Sequence, residues 1–279
     1  MRQAHYIMEH DEEARRLDLK TGAESVHKQA LWAGIRPGMR VADIGCGSGK
    51  TTQFLHQLIQ PGGAIVGVDA SEARVRHAEE HYGGKGIQFA CRDFYRPLQD
   101  LGVFDFVWVR FVLEYHRSKS RDIVVNLSQI LKPGGILCLA DLDHNCLNHF
   151  GLSARLENTL KGIMGTLEKD HDFDPYAGRK LYSYLYDLGF EDIAVEMDHH
   201  HLIYGKLDEV DRYNWTKKLE VAAKNSGYSF DAYPGGYPEF LEEFGIFFAD
   251  PRRFTYTPII YCRGRKPLAF EKRLNDLKT

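Results

Sequence analysis

A chain of 279 residues, 43% hydrophobic and 27% charged, has the composition of an ordinary globular protein, long enough to bury a full core without staples. Its formal net charge of −3, with no basic block, speaks against a nucleic-acid partner, because such binders carry a basic stripe. No run approaches the roughly 18 apolar residues of a membrane span, and five scattered cysteines without a C-x-x-C pair fit a reducing, cytoplasmic compartment.

Residues 1–20 are charged throughout, so no secretory signal is expected there. Helical composition marks Glu9 to Leu19 and Glu24 to Ala33, and Pro37-Gly38 breaks the pattern. Strand and helix signals then alternate. Strands are expected at Val41 to Ile44, Ala64 to Val68, Ile87 to Cys91, Phe104 to Val109 and Ile136 to Ala140, and helices at Lys50 to Ile59, Glu72 to His81 and Ser120 to Leu131. Such alternation calls for a parallel sheet with helices on both faces. Beyond Asp141 the rhythm loosens. Helices are expected at Leu152 to Glu168, Pro175 to Leu188, Asp208 to Asn225 and Pro238 to Phe248, strands at Glu191 to Glu196 and Phe254 to Arg263, and a charged surface helix over Lys266 to Thr279. The reading is one α/β domain, a doubly wound, seven-stranded, mostly parallel sheet. Its N-terminal helices are 1–35, its core 36–141, 175–204 and 254–266, and its helical lid insertions 142–174 and 205–253.

The sharpest motif is Val41-Ala42-Asp43-Ile44-Gly45-Cys46-Gly47-Ser48-Gly49, directly after a strand and before a helix. Glycines there permit positive φ and let a ligand approach the backbone, at the sheet edge where open α/β folds bind ligands. Spacing separates the ligand classes. A phosphate-binding loop needs four residues between its glycines, and this loop has three between Gly45 and Gly49. The dinucleotide pattern G-x-G-x-x-G fails because Lys50 stands where the last glycine belongs. A G-x-G-x-G turn remains, preceded by an acid. The second strand ends in Asp69, about twenty residues on, as expected for a carboxylate accepting from a ribose diol. The third runs into Asp93-Phe94, an acid for an adenine amine and a ring for stacking.

Together these segments resemble the class I S-adenosylmethionine-dependent methyltransferases, and particularly the UbiE/Coq5-like small-molecule group (methyltransferase types 11 and 25). V-A-D-I-G-C-G-S-G, V-G-V-D, C-R-D-F, F-D-F-V-W-V-R-F-V-L-E-Y-H and L-K-P-G-G-I-L-C-L-A-D look like that family's five motifs, in order, from about Arg36 to Asp141. The resemblance implies a Rossmann-like fold, S-adenosylmethionine as cofactor, and roles by position. Gly45, Cys46 and Gly47 would run along the methionine portion, with Asp43 orienting the loop or the amino group. Asp69 would hold the ribose, Ala70 would lie beside the adenine, Asp93 would accept from its amine, and Phe94 would donate its backbone N–H. Arg110 and Phe111 would wall the site near the sulfonium, Arg110 meeting the methionine carboxylate or an acidic substrate. Tyr6 would fold over the cofactor.

The expected reaction is methyl transfer to a small molecule by in-line displacement, which needs alignment and exclusion of water but no covalent nucleophile. If a base is required, His116, Asp141 and His144 are the candidates, with Asp143 beside them; helix-start bonding and loop capping are their plainer roles. Glu114 could pair with Arg110 at helical spacing. His199-His200-His201 reads as structural, since alternate strand residues face opposite sides, and no metal is expected. The aromatic stretch Tyr213 to Phe248 suits either a lid over an apolar or aromatic acceptor, or a subdomain core or homodimer surface. Two competing functions stand beside the first: a non-catalytic or regulatory S-adenosylmethionine-binding module, and a nicotinamide oxidoreductase disfavoured by the glycine spacing.

Overall fold

The computed structural model describes residues 22–268; the expected helix over Glu9 to Leu19, Tyr6 and residues 269–279 lie outside them. The described chain opens with helix α1 (Ala23–Ala33), which stops at Gly34 in the left-handed conformation. Strands β1 (Arg40–Ile44), β2 (Ala64–Asp69) and β3 (Ile87–Cys91) alternate with helices α2 (Lys50–Leu58) and α3 (Glu72–Tyr82), followed by β4 (Phe104–Arg110), α4 (Ser120–Gln129) and β5 (Leu131–Leu142). These five strands are parallel, in the order β3-β2-β1-β4-β5. The centre of the sheet is buried on both faces, and β1, β2, β4 and β5 read as continuous apolar runs for that reason.

The rest of the sheet is antiparallel. Strand β8 (Phe254–Arg265) lies between β5 and β7 (Glu191–Tyr204), and β6 (His149–Phe150) pairs with the start of β8. The sheet therefore has eight strands, not seven. The additional one is a two-residue strand, too short to carry an alternating pattern, that exists because Phe254 and Thr255 extend beyond the end of β5. Strand β5 begins earlier than expected because Leu131 already pairs with Phe104. The predicted helix from Pro175 is only a 3-10 turn, Gly178–Lys180, and a short α6 (Leu181–Asp187). A Cβ on Gly178 would stand 2.8 Å from the Asp141 carbonyl oxygen, so close contact with β5 takes the place of regular helix there. Of the expected tail helix only residues 266–268 are described; there Lys266 is buried, and its Nζ donates to the Ser128 and Leu131 carbonyls.

Helices α1 and α2 cover one face of the sheet, while α4 and α6 pack on the other. The segments expected as insertions pack on one another in a third core. From the first, α5 (Ala154–Asp170) contributes Leu156, Leu160, Ile163 and Leu167; from the second, α7 (Glu209–Ser226) and α8 (Tyr237–Ala249) contribute Trp215, Phe240, Phe244 and Phe248. Most of the aromatic stretch is thus interior packing of a helical layer. Among the described residues, no helix is long and apolar enough to cross a membrane.

Candidate functional site

The carboxyl ends of β1, β2, β4 and β5 converge on the glycine turn. The Gly45 and Cys46 N–H groups both donate to the Val68 carbonyl, at 2.7 and 3.0 Å, and the Gly47 N–H donates to Asp69 Oδ2 at 3.0 Å. Gly45 has φ 75°, and a Cβ there would lie 2.2 Å from Val112 Cγ2, in the loop after β4. Gly49, at φ 91°, would clash with Ala78 and Phe89. The turn is glycine-rich because two neighbouring segments press against its backbone, and α2 starts immediately after it.

Beneath the turn, Asp43 is fully enclosed and accepts from the Thr52 hydroxyl at 2.6 Å. Burial pushes its carboxyl up to about 7; the Thr52 bond and the Arg110 charge oppose that shift, and Asp69 adds to it. Asp69 is itself buried and accepts from Ser71 N–H and Arg74 Nε at 2.9 and 3.1 Å. Ala70 is exposed beside it.

At the third strand's end, Asp93 stays half exposed and caps the Tyr95 N–H at 2.9 Å, while Phe94 is buried. The Tyr95 hydroxyl and His116 Nδ1 are hydrogen-bonded at 2.7 Å, and the His116 ring lies edge-on to both Phe94 and Tyr95. Burial pulls the His116 imidazole down and pushes the Tyr95 phenol up to about 12, so the pair is held neutral. The structure places His116 beside the β3 end, with the residues read as adenine contacts.

Arg110 closes β4, and its guanidinium lies 4.1 Å over the Phe111 ring. Its Nε donates to Gln29 Oε1 at 3.3 Å, and the Asp43 and Asp141 carboxylates lie in its field; burial lowers it to about 10. Phe111 takes a left-handed φ of 58°, so residues 110–114 are not helical and the i,i+4 spacing considered for Arg110 and Glu114 does not arise. Glu114 belongs to another network. Its N–H donates to Asp141 Oδ2, its carboxylate accepts from Asn145 Nδ2 at 2.8 Å, and Asn145 Oδ1 accepts from Lys218 Nζ of α7 at 2.6 Å. Asp141 is 1% exposed and also accepts from the Leu142 N–H. Burial, with Glu114 beside it, raises its carboxyl well above the usual range.

The other β5-end candidates are likewise engaged. Arg179 binds both oxygens of Asp143, and its Nη2 lies 2.6 Å from His144 Nε2. In the histidine run, His199 pairs with Asp198 on the exposed edge. A register shift against β8 between His199 and His201 makes His200 the extra residue of a bulge, and its ring meets Phe111 at 4.8 Å. His201 lies against Trp215. Among the described residues, no three His, Cys, Asp or Glu side chains form a metal-binding group. Sequence reading missed Arg74 and the Lys218–Asn145 link to Glu114; only the Asp69-to-Arg74 spacing at the head of a helix carried any signal.

This is the carboxyl edge of a Rossmann-like α/β sheet, and its core is similar to known proteins. Residues 42–139 match the family model described as a methyltransferase domain. The resemblance of that core to class I S-adenosylmethionine-dependent methyltransferases of the UbiE-like group holds. The ubiquinone biosynthesis O-methyltransferase of Maricaulis maris is 32% identical over 116 residues, 40% of this chain and 44% of that one. The ubiquinone/menaquinone biosynthesis C-methyltransferase UbiE of Ectopseudomonas mendocina is 29% identical over 140 residues, 46% of this chain and 54% of that one. The chain thus spans about half the length of these curated relatives. Phosphoethanolamine N-methyltransferase 2 of Haemonchus contortus, solved with S-adenosyl-L-methionine, shares the fold at a TM-score of 0.56 and 16% identity, covering 95% of this chain and 58% of that one.

Proposed function

We propose that this chain transfers the methyl group of S-adenosylmethionine to a small-molecule acceptor by direct in-line displacement. The observation that carries the reading is the turn after β1: a Cβ at Gly45 or Gly49 would collide with its neighbours, and Gly47 is tied to the acid ending β2. A glycine turn that admits close backbone approach, beside a carboxylate ending β2, suits an adenosine-linked amino acid. Gly45, Cys46 and Gly47 would run along its methionine portion, Asp69 would take the ribose, and Ala70, Asp93 and Phe94 the adenine. Arg110, which lies in the field of Asp43 and Asp141, would meet the methionine carboxylate. The cofactor supplies a methyl already activated on sulfonium, so the protein's tasks are orientation and exclusion of water. The core bounded by 36–141, 175–204 and 254–266 would carry the cofactor, and insertions 142–174 and 205–253 would form the lid. Asn145, in the first insertion, would join the parts: it donates to Glu114 of the core and accepts from Lys218 of the second insertion.

A second reading, cofactor binding without turnover, is favoured by one observation. His116, Asp141 and His144 are each engaged by protein partners and burial rather than presented as a base. An acceptor that needs no deprotonation, or that loses its proton to water, reconciles the same contacts with turnover. Calorimetry with S-adenosylmethionine, S-adenosylhomocysteine and NAD tests the cofactor, and transfer of labelled methyl to a small-molecule panel tests turnover. Selective binding of NAD would refute the proposal.

A further inference from the structure

Asp69 is the residue on which the ribose contact depends, and its carboxylate is already crowded. Oδ1 accepts from the Ser71 N–H at 2.9 Å and from Arg74 Nε at 3.1 Å, with Arg74 Nη2 3.0 Å away. Among the described residues, Oδ2 accepts only from the Gly47 N–H, at 3.0 Å. A carboxylate offers about two acceptor sites on each oxygen. Oδ2 therefore keeps one site, while Oδ1 already receives three N–H directions.

A vicinal diol brings two O–H donors and is held best with one on each oxygen. The first finds the open site on Oδ2. The second needs Oδ1, and one donor must leave. The Ser71 N–H is fixed, because Ser71 caps α3 and its Oγ accepts the Arg74 N–H. The guanidinium hangs on a flexible stem and can turn away. We propose that Arg74 competes with the ribose diol for Asp69, and so sets how tightly the site holds an adenosine ligand and how much of that affinity depends on the diol. The proposal rests on the cofactor reading above. It assigns Arg74 a positioning role that the sequence motifs do not carry.

The test is calorimetry on wild type, R74A and R74Q with S-adenosylhomocysteine, adenosine and 2′,3′-dideoxyadenosine. The first ligand has no sulfonium, so removing a nearby cation does not by itself favour it. Losing a partly buried competitor should tighten S-adenosylhomocysteine and adenosine by about three- to ten-fold. The dideoxy compound should gain nothing, a contrast that a merely structural arginine would not produce. Weaker binding in R74A, with R74Q folded and also weaker, would mean that Arg74 orients the carboxylate for ribose, and would overturn the competition. An equal gain for the dideoxy compound would overturn it as well. A wild type that binds none of the three would instead bring down the cofactor reading, and the competition with it.

Discussion

Asp43→Asn isolates the electrostatic cost of building this site. Asp43 is enclosed beneath the glycine turn, and burial lifts its carboxyl from 3.8 to about 7. A folded-state value above the unfolded one means that, between those limits, the folded protein holds a proton that the unfolded chain has released. Stability then falls as pH rises through the window from about 4 to about 7. A shift of about three units corresponds to roughly 4 kcal/mol, to be read as an order of magnitude because Arg110 and the Thr52 hydroxyl already oppose it. Asparagine keeps an acceptor for Thr52 and cannot ionise. D43N should therefore match wild type to within about 1 kcal/mol at pH 4 and exceed it by about 2–4 kcal/mol at pH 8. Urea unfolding of both proteins at the two pH values measures this directly, because titrations elsewhere cancel in the difference. A gap that is the same at pH 4 and pH 8, or a D43N less stable at pH 8, would refute the argument that the turn rests on a buried, reluctant carboxylate.

Gly45→Ala places a methyl 2.2 Å from Val112 Cγ2 at φ 75° and should cost about 2–5 kcal/mol, from left-handed strain plus overpacking, with loss of S-adenosylmethionine binding; G45A/V112A should recover only the contact part, as denaturant midpoints would reveal. Asn145→Leu removes the donor to the Glu114 carboxylate and the acceptor for Lys218, and should destabilise by about 1–3 kcal/mol for each buried group left without its partner; proteolysis should then cut first within 205–253, and unchanged protection would disprove a core-to-lid latch. Asp69→Ala should weaken S-adenosylhomocysteine by at least ten-fold in calorimetry, and should also lower the thermal midpoint because the Gly47 and Ser71 N–H groups and Arg74 lose their acceptor; unchanged affinity would move the ribose contact elsewhere. His200→Ala should leave that affinity within about two-fold, since its ring meets Phe111 rather than the glycine turn; a larger loss would place His200 among the cofactor contacts.

The parallel half of the fold was legible because burial on both faces forces apolar runs, and Gly and Pro mark each return. Val41 to Ile44 and Ile136 to Ala140 carry that signal, and both lie within observed strands. Strand β7 was legible only at its start. Beyond Glu196 it runs through Met-Asp-His-His-His, a polar edge segment whose bulge breaks the period-two pattern. Strand β6 carried no signal, since two residues become a strand only when β8 arrives from about a hundred positions away. The same holds within the site. The acids ending β1, β2 and β3 were visible as motifs, whereas Lys218 and Asn145 are 73 residues apart, and nothing local in α7 distinguishes that lysine from its exposed neighbour Lys217. The aromatic stretch left two readings open for a related reason. Aromatic residues suit a pocket wall and a core equally well, and only their packing assigns Phe240, Phe244 and Phe248 to the core.

A parallel sheet brings every strand's carboxyl end to one edge, and this chain sets Asp43, Asp69, Asp141 and Asp143 there together with Glu114. So many buried acids would repel one another if all were left unanswered. Asp69 faces Arg74, Asp143 faces Arg179, and Arg110 feels the charges of Asp43 and Asp141. The partners come from different layers: Arg74 from α3, Arg179 from the turn before α6, and Lys218, through Asn145, from the inserted helices. Charge neutrality at the site is therefore distributed over the core and the insertion. A ligand that adds a cation near Asp43, or draws Arg74 off Asp69, alters a balance in which the insertion has a part. Coupling of the helical layer to a ligand at the glycine turn would pass through Lys218, which bonds Asn145 and through it reaches Glu114. Methionine at position 218 should loosen that coupling: ligand-induced protection of 205–253 from amide exchange should fall relative to wild type, while protection of β1 and β2 should not. Equal loss in both regions would mean that Lys218 serves general stability, and equal retention would mean that the insertion senses the site by another route.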